Sequence, residues 1–122
     1  MGIDILYKKW FLIPVVFFIV FVFLLYTADM FLKSTLPKFY EAPEFFCQSK
    51  FAAITLPPVG IFLCEDNFNN ELIRTHELVH WQQYQRTSSF GFYARYIWGW
   101  VKVGFDYEDN PMEVEAREKA TN

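Results

Sequence analysis

What this sequence lacks limits the reading first. It has no excess of positive charge. Beyond residue 32, nine Lys or Arg stand against twelve Asp or Glu, and the whole chain carries −3. Without a basic patch, nucleic acid is not expected as a partner. Only two cysteines occur, Cys47 and Cys64, and they form no C-x-x-C pair, so the usual cysteine metal site is absent. They are either two buried free thiols or, in an oxidising compartment, a disulfide, and two cysteines alone leave both open. There is no internal repeat, and no low-complexity tract beyond one apolar run. Histidine is as scarce as cysteine: His76 and His80 are the only two. Any metal centre with three protein ligands must therefore be completed by a carboxylate or a cysteine.

What the sequence has in excess is apolar surface. Hydrophobic residues make up 53% of its 122 positions and aromatics 21%, more than one small domain can bury. The excess is concentrated in WFLIPVVFFIVFVFLLYTA, residues 10–28, which contain no charge. As a helix these residues rise about 28 Å, close to the hydrocarbon thickness of a bilayer. Residues 10–32 are expected to form a transmembrane helix, preceded by a short head, residues 1–9. Trp10 and Tyr26 would stand at the two interfaces, flanked by Lys8, Lys9 and Lys33. Pro14 is expected in the first turn, where it costs little. A cleaved signal peptide would have a shorter apolar core and a small residue where Tyr26 stands. The flanking lysines nearly balance, and the short head makes a cytoplasmic N-terminus the simpler insertion. The expected localisation is thus a single-pass membrane protein, with lipid as one partner.

Residues 33–50 carry two prolines and mixed polarity and read as a linker lying on the membrane or on the domain. The domain proper is expected over residues 51–122. In it, Ala52–Leu56 and Ile61–Cys64 read as strands of a short hairpin, with Pro57-Pro58-Val59-Gly60 as the turn. EDNFNN, residues 65–70, ends in candidates for a helix N-cap. A helix is expected from about Glu71 to Arg86, with Leu72, His76, Val79 and Gln83 on one stripe and Ile73 and His80 beside it. A second helix, about Phe90 to Val103, places Phe90, Tyr93, Ile97, Trp100 and Val101 on one face. That face suits packing on the preceding helix or resting at a membrane interface. A third helix opens at Pro111, a favoured first position, and runs to about Lys119. The fold class is α+β and mainly helical.

The motif that carries chemistry is THELVHWQQ, residues 75–83. On a helix, side chains four apart point the same way, so His76 and His80 can each reach one zinc ion. Glu77 projects beside that metal rather than onto it. There it can act as general base, taking a proton from the attacking water and passing it to a leaving amine. That division of labour explains two histidines at i and i+4 with a carboxylate between them. A catalytic zinc keeps three protein ligands and one open position. The third ligand is sought downstream, in DYEDNPMEVEAREKA. Glu113 and Glu115 point about 160° apart on a helix, so only one of them can face the metal.

HELVH followed by NPMEVEA resembles the gluzincin class of zinc metallopeptidases, whose third ligand is a glutamate on a later helix. The integral-membrane prenyl-protein and heat-shock proteases carry a similar E-x-x-A-D signature, and matching it to EVEAR implies Glu113 as that ligand, with Ala116 as the small packing residue. LPPVGI, HELVHWQQ, ARYIWGW and NPMEVEA together look like a pattern in small membrane-anchored bacterial and phage proteins, so the resemblance covers roughly residues 55–119. It implies a zincin-like fold around the hairpin. One position departs from the class: Arg117 stands where an acid would orient a histidine. Asp106, Asp109, Asn110 or a backbone carbonyl would then have to supply that acceptor.

Further roles are open to Tyr96, Tyr107 and Arg95 as donors to a developing oxyanion. The strand Ile61–Cys64 is a candidate edge for an extended peptide. The expected function is a membrane-anchored zinc metalloendopeptidase acting on a protein or peptide near the membrane surface. A second reading is a non-catalytic binding or assembly module on the same fold. Its zinc would be structural, with Cys64 or Glu115 as fourth ligand. The sequence does not determine the oligomeric state.

Overall fold

The computed structural model describes residues 2–122, as an α+β chain in which helices predominate. Helix α1, Gly2–Leu32, is followed by β1, Phe39–Glu41, and a single turn of helix, α2, Glu44–Cys47. Strands β2, Ala53–Leu56, and β3, Gly60–Leu63, form the expected hairpin. Helices α3, Glu71–Gln85, α4, Ser89–Lys102, and α5, Pro111–Thr121, complete the fold.

Tyr7–Leu32 of α1 is long and apolar enough to cross a membrane, and most of its apolar side chains are exposed. The helix starts earlier than residue 10, which corrects the placement of Pro14. That proline lies inside α1, not in its first turn, because residues 2–9 are already helical. It removes one backbone donor from the interior of the helix. The last turn of α1 belongs to the domain. Asp29 is buried; its Oδ1 accepts from Tyr84 Oη (2.7 Å) and Ser89 Oγ (2.5 Å), and its Oδ2 from Ser89 N (2.8 Å). Ser89 opens α4, so the carboxylate also faces the positive end of that helix dipole. Trp81 Nε1 donates to Thr35 O (3.2 Å) and Gln85 Nε2 to Lys33 O (2.9 Å), so the chain leaving α1 is held against α3.

Removing the Asp29 carboxylate would strand three buried donors, at about 1–3 kcal/mol each before relaxation. Asp29→Ala is expected to lower stability by about 3 kcal/mol, a fall in Tm of about 10–20 °C in detergent. An unchanged Tm would mean that α1 is not docked on α4.

The segment read as a linker, residues 33–50, contains β1 and α2. Strand β1 pairs parallel with β3, Phe39 opposite Ile61 and Glu41 opposite Leu63. The sheet order is β1-β3-β2, which corrects the expectation for Ile61–Cys64: β3 is the central strand, and β1 and β2 are the edges. The cause is β1, a three-residue strand with too little pattern to be seen beforehand. Gly60 allows this pairing, since a Cβ there would lie 2.5 Å from Lys38 O. Cys47 and Cys64 are bonded, stapling α2 to the end of β3.

Ile61 and Leu63 on β3 bury against Trp81 and Tyr84 of α3 and Phe92 of α4. Helix α3 begins where Asn70 Oδ1 accepts from Leu72 N (3.1 Å) and Ile73 N (3.3 Å). Helix α5 begins where the fully buried Asn110 accepts from Met112 N (3.1 Å). Asn110 Nδ2 also donates to Tyr96 O (3.1 Å), which ties α5 to α4. The two helices meet at Gly99, where a Cβ would lie 2.8 Å from Asn110 Oδ1. A glycine that would weaken an isolated helix here admits the start of α5, and α5 carries Glu113.

Candidate metal centre

The fold brings His76 and His80 of α3 to Glu113 of α5. The potential ligand atoms of all three lie within 4.8 Å of one another, so the cluster could hold a metal ion. His76 Nε2 lies 2.9 Å from Glu113 Oε2, and His80 Nε2 lies 3.1 Å from Glu113 Oε1. The side chains of His80 and Glu113 are nearly closed to solvent, at 6% and 4%, whereas His76 is 18% exposed. Glu115 faces the other way: its Oε1 is 2.7 Å from both Arg86 Nη2 and Lys119 Nζ. Slight burial is outweighed there by Lys119, Arg86 and Gln83, which hold its carboxyl at about 2.

The tautomer of His80 follows from a residue given no such role beforehand. Gln83 Nε2 donates to Met112 O (2.9 Å) and Glu115 Oε2 (3.0 Å), both acceptors only. Its Oε1 must then face His80 Nδ1, at 2.8 Å, and accept a proton from it. The lone pair of a neutral His80 therefore lies on Nε2, pointing at Glu113 Oε1, itself an acceptor. Two acceptors 3.1 Å apart in a buried site need a cation between them, either a proton or a metal ion. Gln83 thus supplies the acceptor sought at Asp106, Asp109 or Asn110. Arg117 binds Glu108 instead, through its carboxylate (3.1 Å) and its backbone oxygen, and holds the loop before α5. The signal for Gln83 was its position three residues after His80, on the stripe that carries His76. Gln83→Leu is expected to weaken metal affinity about 10–100-fold. Chelator competition would measure it, and unchanged affinity would show that Gln83 does not set the ring.

Glu77 is buried next to the cluster, and its Oε2 accepts from Thr55 Oγ1 at 2.6 Å. Burial raises its pKa, and the neighbouring histidines and Thr55 only partly oppose this. Thr55, on β2, had no signal in the sequence, because nothing in AITL distinguishes a hydroxyl that will face α3. For Glu113, burial acts upward on the pKa, but hydrogen bonds from His76, His80 and Tyr96 outweigh it and hold the carboxyl far below its usual range.

A cavity of about 860 Å³ opens beside these groups and is lined by Glu77, His80 and Glu113. Its other walls are mainly apolar, among them Phe51, Leu56, Phe92 and Trp100. Tyr96 and Tyr107 also line it, and Tyr96 Oη donates to Glu113 Oε1 at 2.8 Å. Burial and the Glu113 charge push both phenols well above their usual pKa, so both remain O–H donors. Arg95 is a correction: it is exposed and does not line this cavity, because it lies about 100° around α4 from Tyr96. Comparison with protein-family models, with curated proteins and with solved structures finds no match to this chain.

Proposed function

We propose that the chain is a membrane-anchored zinc metallopeptidase. The observation that carries this reading is the meeting of His76, His80 and Glu113 at one point, with a buried carboxylate, Glu77, that lines one cavity with His80 and Glu113. Two imidazoles and one carboxylate are a catalytic zinc donor set, and the fixed Nε2 lone pair of His80 suits a metal ligand. Bound there, zinc would supply the Lewis acidity for hydrolysis. Glu77 takes the proton of the attacking water and returns it to the leaving amine; a carboxyl raised by burial fits that exchange near neutral pH. Tyr96 and Tyr107, held protonated, are the donors available to a developing oxyanion. The edge strand β2 lines the cavity, and its free side can take an extended peptide by strand addition.

A closed structural site is less well supported, since its two candidate fourth ligands are engaged elsewhere. Cys64 is in a disulfide, and Glu115 binds Arg86 and Lys119. The disulfide supports a domain outside the cytoplasm and an N-terminus inside it. The buried Asp29 network supports retention of α1 as an anchor rather than its removal. The test is hydrolysis of a peptide library by the zinc-loaded chain, with Glu77→Gln as the inactive control.

A further inference from the structure

Helix α4 has two faces of opposite fate. Phe92 and Gly99 are buried within the domain. On the other side, Phe90, Ala94, Ile97, Trp98 and Val101 recur at helical spacing as one apolar stripe. Phe90 is 66%, Ile97 57% and Trp98 62% exposed with α1 in place, so α1 does not cover the stripe. Of the face expected from the sequence, Phe90, Ile97 and Val101 are thus on the open side, whereas Tyr93 and Trp100 line the cavity. A contiguous apolar stripe of this kind marks a binding surface.

Position and charge identify what binds it. Helix α4 begins where α1 leaves its uncharged run: Ser89 N is bonded at 2.8 Å to Asp29, the residue after Ala28. The start of the stripe, at Phe90, therefore adjoins the end of the α1 segment that is apolar enough for lipid. Arg95 and Lys102, two turns apart, lie along one edge of the stripe, and neither has a carboxylate partner among the described residues. Apolar side chains flanked by cations match an interface rich in anionic headgroups. Along the opposite edge lies Trp100, which also lines the cavity, with Phe105 edge-on at 5.1 Å.

We propose that α4 lies in the membrane interface, its apolar stripe among the lipids and Arg95 and Lys102 at anionic headgroups. Trp100 and Phe105, which form one wall of the cavity, then lie at the lipid surface. Lipid docking does not depend on hydrolysis. If the peptidase reading holds, the substrate class narrows to apolar segments emerging from the bilayer.

The test is a photo-crosslinking benzoylphenylalanine in place of Ile97, in the full chain, reconstituted in phosphatidylcholine–phosphatidylglycerol vesicles. Position 17, on α1, is the lipid-facing control. Position 72 is the distal control; it lies about 20 Å along α3 from Gln85, which bonds the end of α1. The expected result is a phospholipid adduct at position 97, comparable to position 17 and absent at position 72. Arg95→Glu with Lys102→Glu should lower that yield several-fold. A chain-to-chain adduct at 97 would assign the stripe to a second copy and overturn the proposal. So would no adduct at 97 while position 17 reacts. Labelling at Phe90 repeats the measurement should the variant at Ile97 fail to fold.

Discussion

Purified in detergent, the chain is expected to carry about one zinc ion, and Glu113→Ala to lose most of it. The loss should be large because Glu113 is the one carboxylate that reaches both histidines, at 2.9 and 3.1 Å. Glu115 is not placed to substitute, since it faces Arg86 and Lys119. Metal content by mass spectrometry, at matched folding by circular dichroism, measures it. A folded, chelator-free preparation without metal would refute the site. The same experiment has a pH signature. Burial acts to lower the His80 pKa, but the Glu113 carboxylate outweighs it, so the metal-free site holds a proton more tightly than an ordinary histidine. Metal uptake must displace that proton, so affinity should fall as the pH drops through the raised His80 pKa.

The metal-free fold should respond in the opposite sense over that range. Stabilisation from a raised His80 is complete below the unfolded histidine value of about 6.5 and is lost as pH rises through the folded value. The depressed Glu113 contributes above the unfolded carboxyl value of about 4.3 and is lost as pH falls through its folded value. The pair therefore stabilises the metal-free protein most between those two unfolded values. Chelator-treated protein should lose stability on going from mildly acidic to alkaline pH, as metal affinity rises.

Glu77→Gln is expected to leave metal content unchanged and to reduce peptide hydrolysis about 10²–10⁴-fold, the usual share of a general base. Glutamine nearly preserves shape and can still accept from Thr55, whose hydroxyl is 2.6 Å from Glu77 Oε2. What it cannot do is take up a proton. The loss should therefore fall on kcat, with KM little changed. Loss of metal along with activity would mean that Glu77 supports the fold of the site rather than the reaction. Full activity with metal retained would remove Glu77 as the base.

The apolar run of α1, the helical stripe of α3 and the opening of α5 at Asn110-Pro111 are local patterns, and they were legible in the residues themselves. So was the spacing that sets His76 and His80 on one face, because four residues make about one turn whatever surrounds them. Helix geometry allowed only one of Glu113 and Glu115 to face the histidines, and the resemblance implied Glu113; that it turns inward follows from how α5 lies against α3. Partners outside the helices were not legible. Strand β1 is three residues long, and only its pairing with β3 reveals that β2 is the edge beside the cavity.

Gln83, Thr55 and Asp29 were missed as partners for a common reason. Each is a polar residue whose role is defined by an atom brought near in space: Met112 O and His80 for Gln83, Glu77 for Thr55, Ser89 for Asp29. A sequence records which donors and acceptors a chain carries. Burial decides which of them must find one another, because an unpaired polar group away from water costs more than the order needed to pair it. The sequence by itself determined the long apolar helix, the histidine pair and the acid beside it. Only the tertiary structure decided that Glu113, implied beforehand by the resemblance, meets both histidines, and it alone decided the tautomer of His80, the disulfide and the open face of α4, because each depends on which faces meet.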